Sequence, residues 1–226
     1  MLRWPVVLFD LDGTLADTVD LIVASYEYAL ARVLDAELPP AELRSWIGRP
    51  LRAAVVDAFP DRAGDVEEVV RVYREWNLAH HDEMIREIPG ARELVTDLEA
   101  AGARLGVVTA KIAHTADLGL RATGLHLHIP VLAGAEQTAR HKPDPDPLLH
   151  ACGVLGVDPA GCVYVGDSVY DLQAARAAGM PAIGVSWGAG RREDLMAEEP
   201  WAVVDDVAAL RVLLLRDTPQ LSSRPA

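Results

Sequence analysis

Positive charge, lysine, cysteine and long apolar runs are all scarce in this chain of 226 residues. Lys and Arg together number 21 against 34 acids, for a formal charge of -13. Nucleic acid and anionic membrane surfaces both need a basic face on their partner, so neither is expected as a ligand. Only Lys111 and Lys142 are lysines, and the chain otherwise uses Arg for positive charge. Those two positions are therefore marked for a compact ammonium rather than a planar fork. Cys152 and Cys162 are the two cysteines, each in an apolar setting, and are expected as buried thiols instead of a disulfide or a metal site. No apolar run approaches membrane-spanning length. Met1 to Phe9 is too short, with acids too close behind it, for a signal peptide, so a cytoplasmic protein is expected. An apolar content of 50% is ample for a core.

What is present is organised around VVLFDLDGTLADT, Val6 to Thr18. Val6 to Phe9 is a short continuous apolar run of the kind that fills a buried parallel strand, and it stops at Asp10. Residues two apart along a strand share a face, so Asp10 and Asp12 project together from its carboxyl end before Gly13 lets the chain turn. Open α/β sheets bind ligands at that edge. A tight turn needs one Asp; a second carboxylate there gains nothing from burial.

Beyond the motif, Val19 to Val33 carries apolar residues at helical spacing. Pro39-Pro40, Gly48-Arg49-Pro50 and Pro60-Asp61 then divide the chain into helices near Ala41 to Ile47, Leu51 to Ala58 and Val66 to His81. No strand is expected before about Glu87, so residues 17–87 read as an inserted all-helical lobe, with Trp46 and Trp76 in its core. Alternation follows. Helices are predicted over Ala91 to Ala101, Ala113 to Thr123, Pro147 to Leu155, Leu172 to Ala178 and Val207 to Leu215. Strands are predicted over Arg104 to Thr109, Ile129 to Ala133, Cys162 to Gly166, Pro181 to Val185 and Trp201 to Val204. Strand after helix after strand implies right-handed crossovers and an α/β fold, a parallel sheet with helices on both faces. The core would comprise residues 1–16 and 88–216, and 217–226 would form a loose tail.

Three further strand ends carry polar residues. VVTAK ends on Thr109, whose hydroxyl, with the amide of Ala110, suits phosphate oxygens and equally suits a helix N-cap. HKPDPDPL sets Lys142 among four chain breakers, off any regular element. GDSVYD follows a strand directly, with Asp167 at its tip and Asp171 in the first turn of the next helix. Two carboxylates about 6 Å apart repel by roughly 3 kcal/mol at an effective dielectric near 20, so four converging acids and a phosphate dianion need a cation among them. Oxygen ligands suit Mg2+ better than zinc.

D-x-D at 10 and 12, Thr109, Lys142 and GD-x3-D at 167 and 171, in that order, resemble the haloacid dehalogenase-like superfamily. The lobe over 17–87 resembles the helical cap of its phosphoglycolate phosphatase-like branch. The resemblance implies a Rossmann-like core and a Mg2+-dependent phosphatase acting on a small phosphorylated metabolite, with phosphoglycolate the first to try. It makes Asp10 the nucleophile that forms an aspartyl-phosphate and Asp12 the acid and base. It makes Asp10, the carbonyl of Asp12 and Asp167 metal ligands, with Asp171 as ligand or support, and Thr109, Ala110 and Lys142 the phosphate-binding set. Ala110 departs from the pattern, since close relatives often have Asn or Ser there. Arg49, in IGRPL, is a candidate for a substrate carboxylate or second phosphate, and equally a surface arginine. A monomer or homodimer is expected. The rivals are a beta-phosphoglucomutase-type mutase, a pyrophosphatase or nucleotide phosphatase, and a phospho-accepting receiver-like module. In receivers, however, the acidic pair and the phosphorylated Asp sit on different strands.

Overall fold

Val6 and Leu8 pack into one apolar cluster and Val7 and Phe9 into another, so the first strand is buried on both faces. Burying each such side chain is worth roughly 1.5–3 kcal/mol, which holds this strand at the centre of the molecule. The computed structural model describes residues 2–215, and the tail expected over 217–226 lies outside the described residues.

In chain order the elements are β1 (Val6–Phe9), β2 (Ala16–Asp17), α1 (Val19–Leu34), α2 (Pro40–Ser45), α3 (Leu51–Ala58), α4 (Val66–Met84), β3 (Arg86–Glu87), α5 (Ala91–Ala100), β4 (Arg104–Val108) and α6 (Ala113–Ala122). They continue with β5 (Val131–Ala133), α7 (Asp146–Leu155), β6 (Cys162–Gly166), α8 (Val169–Ala177), β7 (Ala182–Val185), α9 (Arg192–Ala197), β8 (Ala202–Val204) and α10 (Val207–Leu215). Six strands form one parallel sheet in the order β5-β4-β1-β6-β7-β8. β1 lies between β4 and β6, with Phe9 in register with Val107 on one side and Val165 on the other. Leu94 and Leu98 of α5, Leu120 of α6 and Leu210 of α10 cover one face. Leu148 of α7 and Leu172 of α8 cover the other. The architecture is thus the α/β doubly covered sheet that the alternation implies.

Helices α1 to α4 pack around an apolar cluster of their own, including Leu30, Leu43, Val55 and Val69. At the base of this lobe β2 and β3 pair antiparallel, Ala16 with Glu87 and Asp17 with Arg86. A two-residue strand has no period to read, so this ribbon escapes the sequence pattern. So does α9, whose six residues carry one buried apolar side chain, Leu195. α8 starts at Val169 rather than Leu172 because Ser168 and Asp171 form a capping box. α4 continues to Met84, past the predicted end at His81, because no breaker interrupts it. Trp46 is buried, but Trp76 is only half-buried and stacks on His80 with ring centroids 3.9 Å apart. No helix among the described residues is long and apolar enough to cross a membrane.

Candidate active site

The carboxyl ends of β1, β4 and β6 lie side by side, so Asp10, Thr109 and Asp167 emerge at one rim. All three are buried, as are Asp12, Lys142 and Asp171. Lys142 reaches the rim from the loop ahead of α7, and its ammonium donates to Asp10 Oδ1 at 2.8 Å, Asp171 Oδ1 at 2.6 Å and the Tyr164 hydroxyl at 3.0 Å. Three N–H donors meet three acceptors, so this buried cation is fully satisfied. The Tyr164 hydroxyl in turn donates to the Val108 carbonyl at 2.7 Å, tying the network to β4.

Asp171 is committed on both oxygens. Oδ1 takes Lys142, and Oδ2 accepts from the Ser168 amide at 3.0 Å and its hydroxyl at 2.6 Å. Asp167 is held more lightly, by the Ala189 amide on Oδ2 at 2.6 Å and by Thr14 Oγ1 on Oδ1 at 3.4 Å. Glycine makes this possible at Gly13. Its φ is +74, and a Cβ there would stand 2.3 Å from Asp167 Oδ2. Oxygens of Asp10, Asp167 and Asp171 all lie within 4.8 Å of one another.

The pKa of Asp10 stands at about 7, because burial, with Asp171 and Asp12, pushes it up by more than Lys142 pulls it down. Burial likewise drives Asp167 well above the usual carboxylate range, with Asp171 and Asp10 adding to the push and the Ala189 amide opposing it. For Lys142 burial disfavours the charge, but Asp10 and Asp171 outweigh it and hold the ammonium protonated. Three buried carboxylates face one ammonium, and each acid pair repels by on the order of 3 kcal/mol at this spacing. The donor set is all oxygen, without His or Cys, and is short of positive charge. A hard divalent cation fits it.

Thr109 lies beyond the last residue of β4; its hydroxyl accepts from the Lys111 amide at 3.2 Å, which leaves the hydroxyl proton free to donate outward. Among the described residues the Ala110 amide has no acceptor. Lys111, marked in the sequence as a position for a compact ammonium but with no partner named, forms an ion pair with Asp12 Oδ1. Thr18 Oγ1 donates to the same oxygen at 2.6 Å. The scarcity of lysine was the one signal that pointed here.

Above the rim a cavity of about 710 Å³ opens between the sheet edge and the helical lobe. Asp10, Asp12, Thr109 and Lys111 line its floor; Tyr26, Leu51, Val70 and Tyr73 are among its largely apolar walls. Arg49 lines it too, ion-paired with Asp57 and 5.8 Å from the ring of Tyr170, so it stands in the wall rather than among the acids. The turn that carries it rests on the core. Gly48 has φ +92, and a Cβ there would lie 2.5 Å from Ser168 Oγ, the neighbour of Asp167. Trp187 stands beside the motif turn, its indole N–H donating to the Thr14 carbonyl at 3.3 Å.

Residues 7–185 match the family described as "Haloacid dehalogenase-like hydrolase". Pyrophosphatase PpaX of Bacillus velezensis is 33% identical over 92% of this chain and 95% of its own, and the PpaX pyrophosphatase of Anoxybacillus flavithermus is 34% identical over the same shares. Among solved structures, a "predicted phosphoglycolate phosphatase" from Haemophilus somnus superposes with a TM-score of 0.79 at 27% identity, over 93% of this chain and 97% of that one. A hydrolase from Pseudomonas syringae gives a TM-score of 0.83 at 25% identity, over 92% and 95%.

Proposed function

Since the chain belongs to the haloacid dehalogenase-like hydrolase family, whose members matched here include phosphatases, we propose that it is a Mg2+-dependent phosphohydrolase of small phosphorylated metabolites, with Asp10 as nucleophile. The observation that carries this reading is the buried Asp10 carboxylate, held by Lys142 at 2.8 Å and standing within 4.8 Å of Asp167 at the cavity floor.

In the first step an Asp10 oxygen bonds to phosphorus and the ester bond to the leaving oxygen breaks, while Asp12 gives that oxygen its proton. In the second step Asp12 takes a proton from water, the water oxygen bonds to phosphorus, and the acyl phosphate bond to Asp10 breaks. The sum is ester plus water to alcohol plus phosphate. Lys142, the Thr109 hydroxyl and the Ala110 amide meet the charge on the transferring phosphoryl group. Asp10, Asp167 and the backbone carbonyl of Asp12 would hold Mg2+, which when bound neutralises the acids and polarises the phosphoryl oxygens. Asp171, committed to Ser168 and Lys142, acts by fixing the lysine rather than as a ligand. The lobe over residues 17–87, hinged near β2 and β3, closes the cavity against water.

Pyrophosphate joins phosphoglycolate at the head of the substrate panel because the two PpaX relatives carry that activity in their names. The test is phosphate release from an aryl phosphate, pyrophosphate, phosphoglycolate and hexose phosphates, with Mg2+ and with chelator. Release should stop with chelator and in Asp10→Asn, and return when Mg2+ is restored to the wild type. Chelator-insensitive release defeats the metal assignment; an isomeric hexose phosphate in place of free phosphate converts the reading to a mutase.

A further inference from the structure

Two lysines stand against nineteen arginines in this chain, and both end on the D-x-D pair: Lys142 on Asp10 and Lys111 on Asp12. Other Lys/Arg ion pairs among the described residues are made by arginines, on largely exposed side chains. Lys111 and Asp12, by contrast, have side chains only 13% and 10% exposed. Rarity and placement together require a reason why an ammonium, and not a guanidinium, faces Asp12.

Geometry supplies one. A guanidinium is a planar fork that tends to take both oxygens of a carboxylate. Some of the chain's own arginines do this: Arg191 reaches Asp194 Oδ2 at 2.9 Å and Oδ1 at 3.2 Å, and Arg71 reaches Glu68 Oε2 at 2.9 Å and Oε1 at 2.6 Å, while others, such as Arg121 on Asp117, take one oxygen. An ammonium is a point donor. Lys111 binds Asp12 Oδ1 alone, and Thr18 Oγ1 lands on that same oxygen at 2.6 Å. Among the described residues Oδ2 has no donor, and Asp12 lines the cavity floor.

We propose that Lys111, with Thr18, is a positioning residue: it pins one oxygen of Asp12 and so keeps the other directed at the leaving oxygen and the hydrolytic water. This rests on the role proposed for Asp12 above and adds the part that fixes its orientation. Lys111 itself makes and breaks no bond. Its loss should be felt where a proton must be delivered in flight and should be nearly silent where the leaving group departs without one.

The experiment measures kcat/KM, which reports the phosphorylation step, for phenyl phosphate and for dinitrophenyl phosphate. Wild type, Lys111→Met, Lys111→Arg and Thr18→Val are compared, each checked by its thermal midpoint. Lys111→Met should lower kcat/KM on phenyl phosphate about 30-fold or more, as part of the 100- to 10,000-fold that general acids supply, and on dinitrophenyl phosphate less than about threefold. Lys111→Arg keeps the charge but captures both oxygens, so it should rescue little of the phenyl phosphate activity. Thr18→Val should show the same selective loss in smaller measure and decides the matter if the Lys111 variants do not fold. Equal losses on the two esters, or full rescue by arginine, overturn the inference. A wild type that releases phosphate from neither ester overturns the parent reading and the inference with it.

Discussion

The sheet rim and the helical lobe face each other across one cavity and are built on opposite plans. At the rim, Lys142 and Asp171 are saturated and Asp10, Asp12 and Asp167 are each held by named partners, all of them buried. Across the cavity the lobe presents mainly apolar side chains, with Arg49 paired to Asp57, Arg52 paired to Glu67 and Arg74 among the charged residues of its wall. A buried network of interlocked charges tolerates no deletion, because each loss strands another charge. Apolar walls and exposed pairs are tolerant, since an exposed ion pair contributes only about 0–1 kcal/mol. On the proposed function, the rim would fix the chemistry and the lobe would be where substrate choice is free to vary.

The contrast breaks first at Lys142. Lys142→Met leaves Asp10 and Asp171 facing each other without a cation, and breaking such a buried pair costs about 3–5 kcal/mol. Denaturant midpoints should fall accordingly, and activity should vanish on every substrate; a variant of wild-type stability would mean that the rim is not interlocked.

Next comes pH. Asp10 has a folded-state pKa of about 7 against 3.8 for the ordinary group, so the folded chelated protein binds the proton more tightly than the unfolded chain. That contribution is fully present below about pH 4, declines as pH rises toward 7 and is gone above it. Between pH 5.5 and 8 the chelated protein should lose on the order of 2 kcal/mol, read as a shift in urea midpoint, and saturating Mg2+ should remove most of the slope. A midpoint that rises with pH in chelator contradicts the burial of uncompensated acid.

The smallest effect belongs to the lobe. Arg49→Ala should change aryl phosphate turnover by less than about threefold, since its partner Asp57 is exposed and the arginine stands in the wall away from the acids, while reordering the ranking of pyrophosphate, phosphoglycolate and hexose phosphates. An unaltered ranking would leave Arg49 a wall residue and nothing more.

Much of this was legible in the sequence, for identifiable reasons. Val6 to Phe9 read as a central strand because both its faces are buried, and the parallel sheet followed from the alternation after Ala91. Asp10 and Asp167 could be expected together because each ends an apolar strand, whereas Lys142, in a loop, was marked only by the scarcity of lysine and by the family resemblance. What escaped depends on local three-dimensional detail. The β2–β3 ribbon is two residues long, α9 exposes most of its length, and Trp76 has helical spacing that does not say which neighbour it meets. The Lys111 to Asp12 pairing escaped because it depends on how the turns after β1 and β4 approach each other. Composition flagged the lysine without naming its partner.

The most direct test of the central claim is to trap the intermediate. Asp12→Asn enzyme, mixed with Mg2+ and dinitrophenyl phosphate and acid-quenched within seconds, should carry one phosphoryl group on the peptide containing Asp10 and none in the Asp10→Asn variant. Phosphate released by wild type while no phosphoryl group is found on Asp10, or a label carried by another residue, would contradict the account.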